Sequence, residues 1–249
     1  MKLTIRVWRQ PSSDRAGFFE EHVLEGADAK MSVLELLDAL NERLSEQGLA
    51  PVAFDSDCRE GVCGACGLLV DGRPNGSGDN LPACHQRIGT RREGGTVTIE
   101  PFRSAVMPVV KDLVVDRCAL DFLQGEAGAS AATTGRSPDA DAVPVARDAA
   151  ERALDFGACI GCGSCVAACP NGSAALYAGA RLASLALAPV PAKQRRERAR
   201  AMARALEIFG PCSGYGECAL ACPAKIPLAV TGFVARERWG ALFAGEDGR

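Results

Sequence analysis

One stretch restricts this chain more than any other: Cys159-Ile-Gly-Cys162-Gly-Ser-Cys165-Val-Ala-Ala-Cys169-Pro170. Its spacing, C-x2-C-x2-C-x3-C-P, is an iron–sulfur ligand run in which three thiolates wrap one cubic cluster and the fourth ligates a neighbouring one. A fold that contains it must bring a second set of thiols close. Cys212-Ser-Gly-Tyr215-Gly-Glu-Cys218-Ala-Leu-Ala-Cys222-Pro223 supplies that set, keeping every key position except one, where Tyr215 replaces the second Cys. Exchanging the fourth Cys of each run gives Cys159, Cys162, Cys165 and Cys222 as four ligands for a 4Fe–4S cluster. The exchange leaves only Cys169, Cys212 and Cys218 for the second site, with a phenol at the vacant corner. Three thiolates suit 3Fe–4S, although water or another side chain could still hold a fourth iron there.

A third set of thiols precedes these two. Cys58-Arg-Glu-Gly-Val-Cys63-Gly-Ala-Cys66, completed by Cys84, has the C-x4-C-x2-C spacing of plant-type 2Fe–2S sites. Gly61, Gly64 and Gly67 lie among these ligands, where missing side chains let backbone N–H groups approach sulfur; simple loop flexibility is the alternative. Of the twelve cysteines only Cys118 falls in no motif, and a packed, buried thiol is expected there. The first residues, from Met1 to Val7, run straight into an alternating strand pattern, so no signal peptide is expected. Reduced thiols and metal are then expected in place of disulfides. Zinc also uses C-x2-C pairs, but zinc sites seldom string four Cys in this order with Pro behind the last.

Composition narrows the function further. A net charge of −3 argues against a nucleic-acid surface. The basic group Lys193, Arg195, Arg196, Arg198 and Arg200 is expected to form a solvated helix face, with a docking or lipid-headgroup patch as the alternative. No apolar stretch approaches the ~18 residues of a membrane span, so a soluble or peripheral protein is expected. No G-x-G-x-x-G signature for a dinucleotide occurs. The two histidines, His22 and His85, are not placed like general bases, and surface or packing roles are expected for both. The chain is expected to carry electrons and to make or break no bonds of its own.

Taken in order, Leu3, Ile5 and Val7 alternate with polar residues as a half-buried strand does, and a second strand covers Phe18 to Leu24. Ser32 and Glu35 form a capping box, Val33, Leu36, Leu37, Leu40 and Leu44 follow at helical spacing, and Gly48 closes the helix. Leu68 to Val70 before Asp71-Gly72 reads as strand and turn, and Thr96 to Glu100 as a closing strand. Val109 to Phe122 is expected to be helical and Gln124 to Val143 a mobile linker. Helices are expected from Asp148 to Phe156, through the Ala- and Leu-rich Ala174 to Leu187, up to Phe209 and Gly210, and from Pro227 to about Trp239. The expected fold class is α+β. Residues 1–105 form a β-grasp domain of plant-type ferredoxin character, 106–146 a connecting helix and linker, and 147–249 an all-α domain of bacterial two-cluster ferredoxin type. With about 47% hydrophobic residues and a modest second core, cluster binding is expected to supply much of that domain's folding energy.

The order of three cluster runs, with Pro108 to Asp116 after the first domain and Cys169-Pro170-Asn171-Gly172-Ser173 in the second, resembles the iron–sulfur subunits of succinate dehydrogenase and fumarate reductase. The resemblance covers nearly the whole chain apart from the linker. It implies an FAD-containing flavoprotein subunit facing the 2Fe–2S site, and a membrane-anchor subunit of cytochrome b type, where quinone is reduced, facing the 3Fe–4S site. The 4Fe–4S site would lie between them. It also implies a peripheral location on the cytoplasmic face of the bacterial plasma membrane. Pro170 matches a quinone-site residue of the family. Ser173 and Ala174 stand where ubiquinone-using relatives have tryptophans, and Ser213 where they have a histidine, so menaquinone is the expected quinone. A fumarate reductase working in the opposite direction, or a free-standing multi-cluster ferredoxin, are the alternatives.

Overall fold

The computed structural model describes residues 1–76, 80–89, 94–127, 144–188 and 190–243. The first half is a five-stranded sheet in the order β2-β1-β5-β3-β4. Its strands are β1 (Leu3–Arg9), β2 (Phe18–Leu24), β3 (Leu69–Val70), β4 (Arg73–Pro74) and β5 (Gly95–Glu100). β1 lies inside the sheet, antiparallel to the edge strand β2 and parallel to the central strand β5. A parallel pair needs a long crossover, and helix α1 (Val33–Glu46) together with the first Cys loop supplies it. Alternation along β1 sends Leu3, Ile5 and Val7 to one face, where Val33, Leu36, Leu37, Leu40 and Leu44 of α1 cover them in a single apolar cluster. The capping box forms as expected: Glu35 N donates to Ser32 Oγ at 3.1 Å, and Ser32 N to Glu35 Oε2 at 2.6 Å. Gly48 closes the helix with φ +68.

Beyond β5 the structure departs from the sequence expectation. Val109 to Phe122 is not one helix. Strands β6 (Val109–Lys111) and β7 (Val114–Val115) pair as a hairpin, and helix α2 begins only at Cys118, running to Ala127. The β-branched valines favour strand, and Asp112 adopts the left-handed backbone of the turn, φ +48. Asp112 is buried and gives the hairpin a tertiary role. Its carboxylate accepts N–H bonds from Gln10 at 2.9 Å and Ala53 at 3.0 Å and faces Arg9 Nε at 3.4 Å. Asp112→Ala leaves both amides without their acceptor and removes one of the partners of Arg9, which keeps Glu20 and Ala50 O, so it is expected to destabilise the chain by about 3 kcal/mol. Urea midpoints check this, and Asp112→Asn, which keeps one acceptor oxygen, is expected to lose about half as much.

The second half is helical: α3 (Arg147–Gly157), α4 (Ser164–Ala168), α5 (Ala175–Leu187), α6 (Ala192–Ala205), α7 (Glu217–Leu220) and α8 (Thr231–Phe243). Pro227 precedes a short 3-10 turn, Leu228–Val230, that leads into α8. The Ala-rich α5 is buried along most of its length. A continuous apolar cluster joins the halves, with Leu69, Phe102, Met107 and Val115 packed among Leu120, Leu123, Tyr177, Leu182 and Met202. Of the expected linker, the first residues extend α2, and 128–143 lie outside the described residues. The basic group on α6 is only partly a solvated face. Arg195 meets buried Glu237 of α8 at 3.3 Å, and Arg200 Nε donates to Ala241 O at 2.9 Å, so these two tie α6 to α8. Among the described residues no helix is long and apolar enough to cross a membrane.

Candidate iron–sulfur sites

All twelve cysteines are free of disulfides. Eleven of them gather in three places. Cys58, Cys63 and Cys66 lie on the irregular loop before β3, and Cys84 lies on a second loop sewn to the start of α1, where Leu34 N donates to Ala83 O at 3.1 Å. Backbone amides turn inward on the sulfurs: Glu60 N reaches Cys58 Sγ at 3.3 Å and Ala65 N reaches Cys63 Sγ at 3.4 Å. The Glu60 and Val62 amides, and then the Cys63 thiol, draw Cys58 down to about 7. Cys66 moves the other way: burial pushes it up to about 12, and hydrogen bonding and charge at the Cys84 thiol add to this. Iron binding there must displace a firmly held proton, so it releases acid.

In the helical half, Cys159, Cys162, Cys165 and Cys222 line one recess of about 340 Å³. Burial pushes the Cys159 and Cys222 thiols up, and Cys165 furthest, with the other thiols in the recess adding to it. Ile226 N donates to Cys222 Sγ at 3.4 Å. A second recess of about 310 Å³ is lined by Cys169, Cys212 and Cys218, with Pro170, Ser173, Ser213 and Tyr215 beside them. The fourth cysteine of each run thus lines the recess built mainly by the other run. Asn171 holds the runs together, its Nδ2 donating to Pro211 O at 2.9 Å and Ser213 Oγ at 2.8 Å. Buried Leu176 lines both recesses. Recesses walled by three or four thiols suit sulfur-rich clusters that take thiolate ligands.

The first two thiol sets are brought into contact at their loops. A Cβ built on Gly64 (φ +72) would lie 2.5 Å from Ile160 O and 2.9 Å from Cys162 Cα and N. The glycine between Cys63 and Ala65 therefore reflects close approach of the two loops as well as local freedom. Arg117 fixes that approach, with Nη1 donating to Gly64 O at 2.7 Å and Nη2 donating to Gly161 O. Asn75 also crosses the boundary to Ser164 at 2.6 Å. None of Arg117, Asn75 and Ser164 stands out in the sequence: Arg117 and Asn75 lie outside every ligand run, and Ser164 fills an open position within one. The Asn75-Gly76 pair marks only a turn.

Cys118 was expected to be buried, and the structure corrects this. It sits exposed at the first turn of α2, whose inward face is taken by Leu120 and Leu123. Its thiol is pushed up by the hydrogen-bonded Asp116 carboxylate beside it. Of the histidines, His85 is exposed and His22 lies 3.4 Å from Glu20 on the sheet.

Residues 4–121 match the family model of a 2Fe-2S iron-sulfur cluster binding domain, and residues 158–226 that of a 4Fe-4S dicluster domain. The chain is 26% identical over 239 residues to the succinate dehydrogenase iron-sulfur subunit of Bacillus subtilis, covering 92% of this chain and 89% of that one. It is 27% identical over 171 residues to the fumarate reductase iron-sulfur subunit of Wolinella succinogenes, covering 67% of this chain and 66% of the relative. In fold it resembles a chain of the Mycobacterium smegmatis Sdh1 complex in the apo form, with a TM-score of 0.66 and 23% identity over 96% of this chain and 97% of that one.

Proposed function

Because the chain belongs to the family of succinate dehydrogenase and fumarate reductase iron–sulfur subunits, we propose that it relays single electrons from a flavoprotein subunit that oxidises succinate to quinone at a membrane anchor. The observation that carries this is the succession of three thiol sets, the first two meeting at Gly64 and the last two lining recesses that share Leu176 as a wall. The proposed ligands are Cys58, Cys63, Cys66 and Cys84 for 2Fe–2S, Cys159, Cys162, Cys165 and Cys222 for 4Fe–4S, and Cys169, Cys212 and Cys218 for 3Fe–4S. Bound at these thiols, the clusters would supply one-electron carriers with potentials tuned by charge, hydrogen bonding and exposure. The five-stranded sheet crossed by α1 is read as a β-grasp of plant-type ferredoxin character.

The chain's own residues do the positioning. Amides of Glu60 and Ala65 stabilise thiolate charge at Cys58 and Cys63. Arg117 holds the Cys63 and Cys162 loops at a set separation, and buried Leu176 forms part of the wall of both recesses in the helical half. Beside the third recess Cys212, Trp239 and Leu242 share a groove, and Trp239 is 58% and Phe243 80% exposed. This apolar face, next to the thiols proposed for the last carrier, supports docking on the anchor at the cytoplasmic side of the membrane. Ser173, Ala174 and Ser213 at the positions discussed above favour menaquinone.

Native purification with cofactor analysis tests the proposal. Roughly nine irons per chain are expected from the three cluster types, with matching acid-labile sulfide and a co-purifying flavoprotein and anchor. About four irons, substantial zinc, or a chain that purifies alone would overturn it. Succinate oxidation faster than fumarate reduction is expected, and the reverse would assign the chain to a fumarate reductase.

A further inference from the structure

Ser164 follows Gly163 inside the ligand run, at a position the spacing leaves open to any residue. It is nevertheless 0% exposed, and its Oγ lies 3.1 Å from Cys162 Sγ and 2.6 Å from Asn75 Nδ2. Asn75 is 1% exposed and comes from the other half of the chain, on the turn after β4. Its backbone is held in the left-handed region at φ +58, and its own N–H donates to Leu68 O at 2.8 Å. Its side-chain oxygen is buried without a hydrogen-bond partner, so the amide is committed to Ser164 through its nitrogen alone. A solvent-facing asparagine on this turn would satisfy both of its polar atoms, and this one does not.

The chemistry gives the contact a direction. A cluster-bound Cys162 has no proton, so its sulfur can only accept. The Ser164 hydroxyl must then donate to sulfur, and its lone pairs are left to accept the Asn75 N–H. The result is an ordered chain, Asn75 to Ser164 to Cys162, among buried residues, where each bond polarises the next. A donor aimed at ligand sulfur stabilises the extra negative charge of the reduced cluster more than the oxidised state.

We propose that Asn75 and Ser164 form a hydrogen-bond relay across the domain boundary that raises the reduction potential of the cluster held by Cys162. It rests on the assignment of Cys162 as a ligand, and both residues are positioning residues that act through that sulfur.

The test uses the intact complex. In Ser164→Ala the reduced-to-oxidised ratio of the middle cluster at fixed ambient potential is expected to fall about tenfold, about 59 mV for one electron, by EPR-monitored redox titration. The other two clusters are expected to keep their potentials. Ser164→Thr retains the hydroxyl and is expected to restore the wild-type value. Asn75→Ala is expected to shift it part of the way, and Asn75→Ala with Ser164→Ala no further than Ser164→Ala alone. Iron–sulfur stretching bands in resonance Raman spectra are expected to move in D2O for wild type and to lose that component in Ser164→Ala. An unshifted potential in Ser164→Ala with full iron content overturns the relay. Should Ser164→Ala fail to hold the cluster, an unshifted potential in Asn75→Ala overturns it equally. A Cys162→Ala variant that keeps the middle-cluster signal would instead overturn the ligand assignment, so the two failures are distinguishable.

Discussion

Gly64→Val is expected to part the two halves of the molecule at their thiol loops and to abolish electron transfer between them. The new Cβ meets Ile160 O at 2.5 Å and Cys162 Cα and N at 2.9 Å. All three are backbone atoms, so no side chain can rotate aside. Valine also resists the φ of +72, a left-handed conformation that costs an L-residue about 1–2 kcal/mol. Overpacking adds about 1–3 kcal/mol, and the only relief is to draw the loops apart. That movement breaks the Arg117 bridge between Gly64 O and Gly161 O. Succinate-driven quinone reduction is expected to drop at least about a hundredfold, on the order of 3 kcal/mol. EPR should show the 2Fe–2S signal retained and the 4Fe–4S signal broadened or lost. Gly72→Ala is the control. Its φ of +77 imposes the same backbone penalty, but nothing lies within 4 Å of the new Cβ. It should lose about 1 kcal/mol of stability and no electron transfer. Equal effects at the two positions would show that loop contact is not what Gly64 provides.

Tyr215→Cys is expected to convert the third site from three irons to four. The substitution restores the thiol spacing of the first run, at a position lining the recess with Cys169, Cys212 and Cys218. Tyr215 is 62% exposed, so losing its ring opens little core. A fourth anionic ligand favours the oxidised cluster and lowers its potential. A fall of about 120 mV would reduce the population of the reduced carrier about a hundredfold, each tenfold being about 59 mV. Quinone reduction by succinate should slow accordingly, while succinate oxidation with an artificial acceptor at the flavoprotein survives. Oxidised 3Fe–4S is paramagnetic and oxidised 4Fe–4S is not, so the EPR signal of the air-oxidised protein should disappear. If that signal persists unchanged, Tyr215 does not occupy the missing-ligand corner.

The thiol runs were legible because iron–sulfur ligation imposes fixed intervals. The capping box at Ser32 and the alternation of β1 were legible because local geometry imposes a period. The hairpin at Val109–Val115 does not show in its local pattern, because its turn depends on Asp112 reaching Gln10 and Ala53, far away in the chain. Cysteine is usually buried, but at Cys118 the side of α2 that packs is decided by Leu120 and Leu123. Arg117, Asn75 and Ser164 were invisible for a single reason. Each matters through a partner in the opposite half, and no local interval records such a contact.

The crossed placement of Cys169 and Cys222 has a consequence for biogenesis. Cys159, Cys162 and Cys165 leave the ribosome well before Cys222, yet Cys222 completes the lining of their recess. Cys212 and Cys218, made late, share theirs with Cys169, made early. Neither recess can close during synthesis until the last third of the chain has emerged and folded back. On the proposed ligand sets, neither site of the helical half is complete before that point, and a chain cut short of Cys212 would leave the thiols of the first run without their partners. With the same sets, a metal lost from the recess that holds exposed Cys212 would leave Cys169 unligated, while Cys222 would still tie the second run to the first.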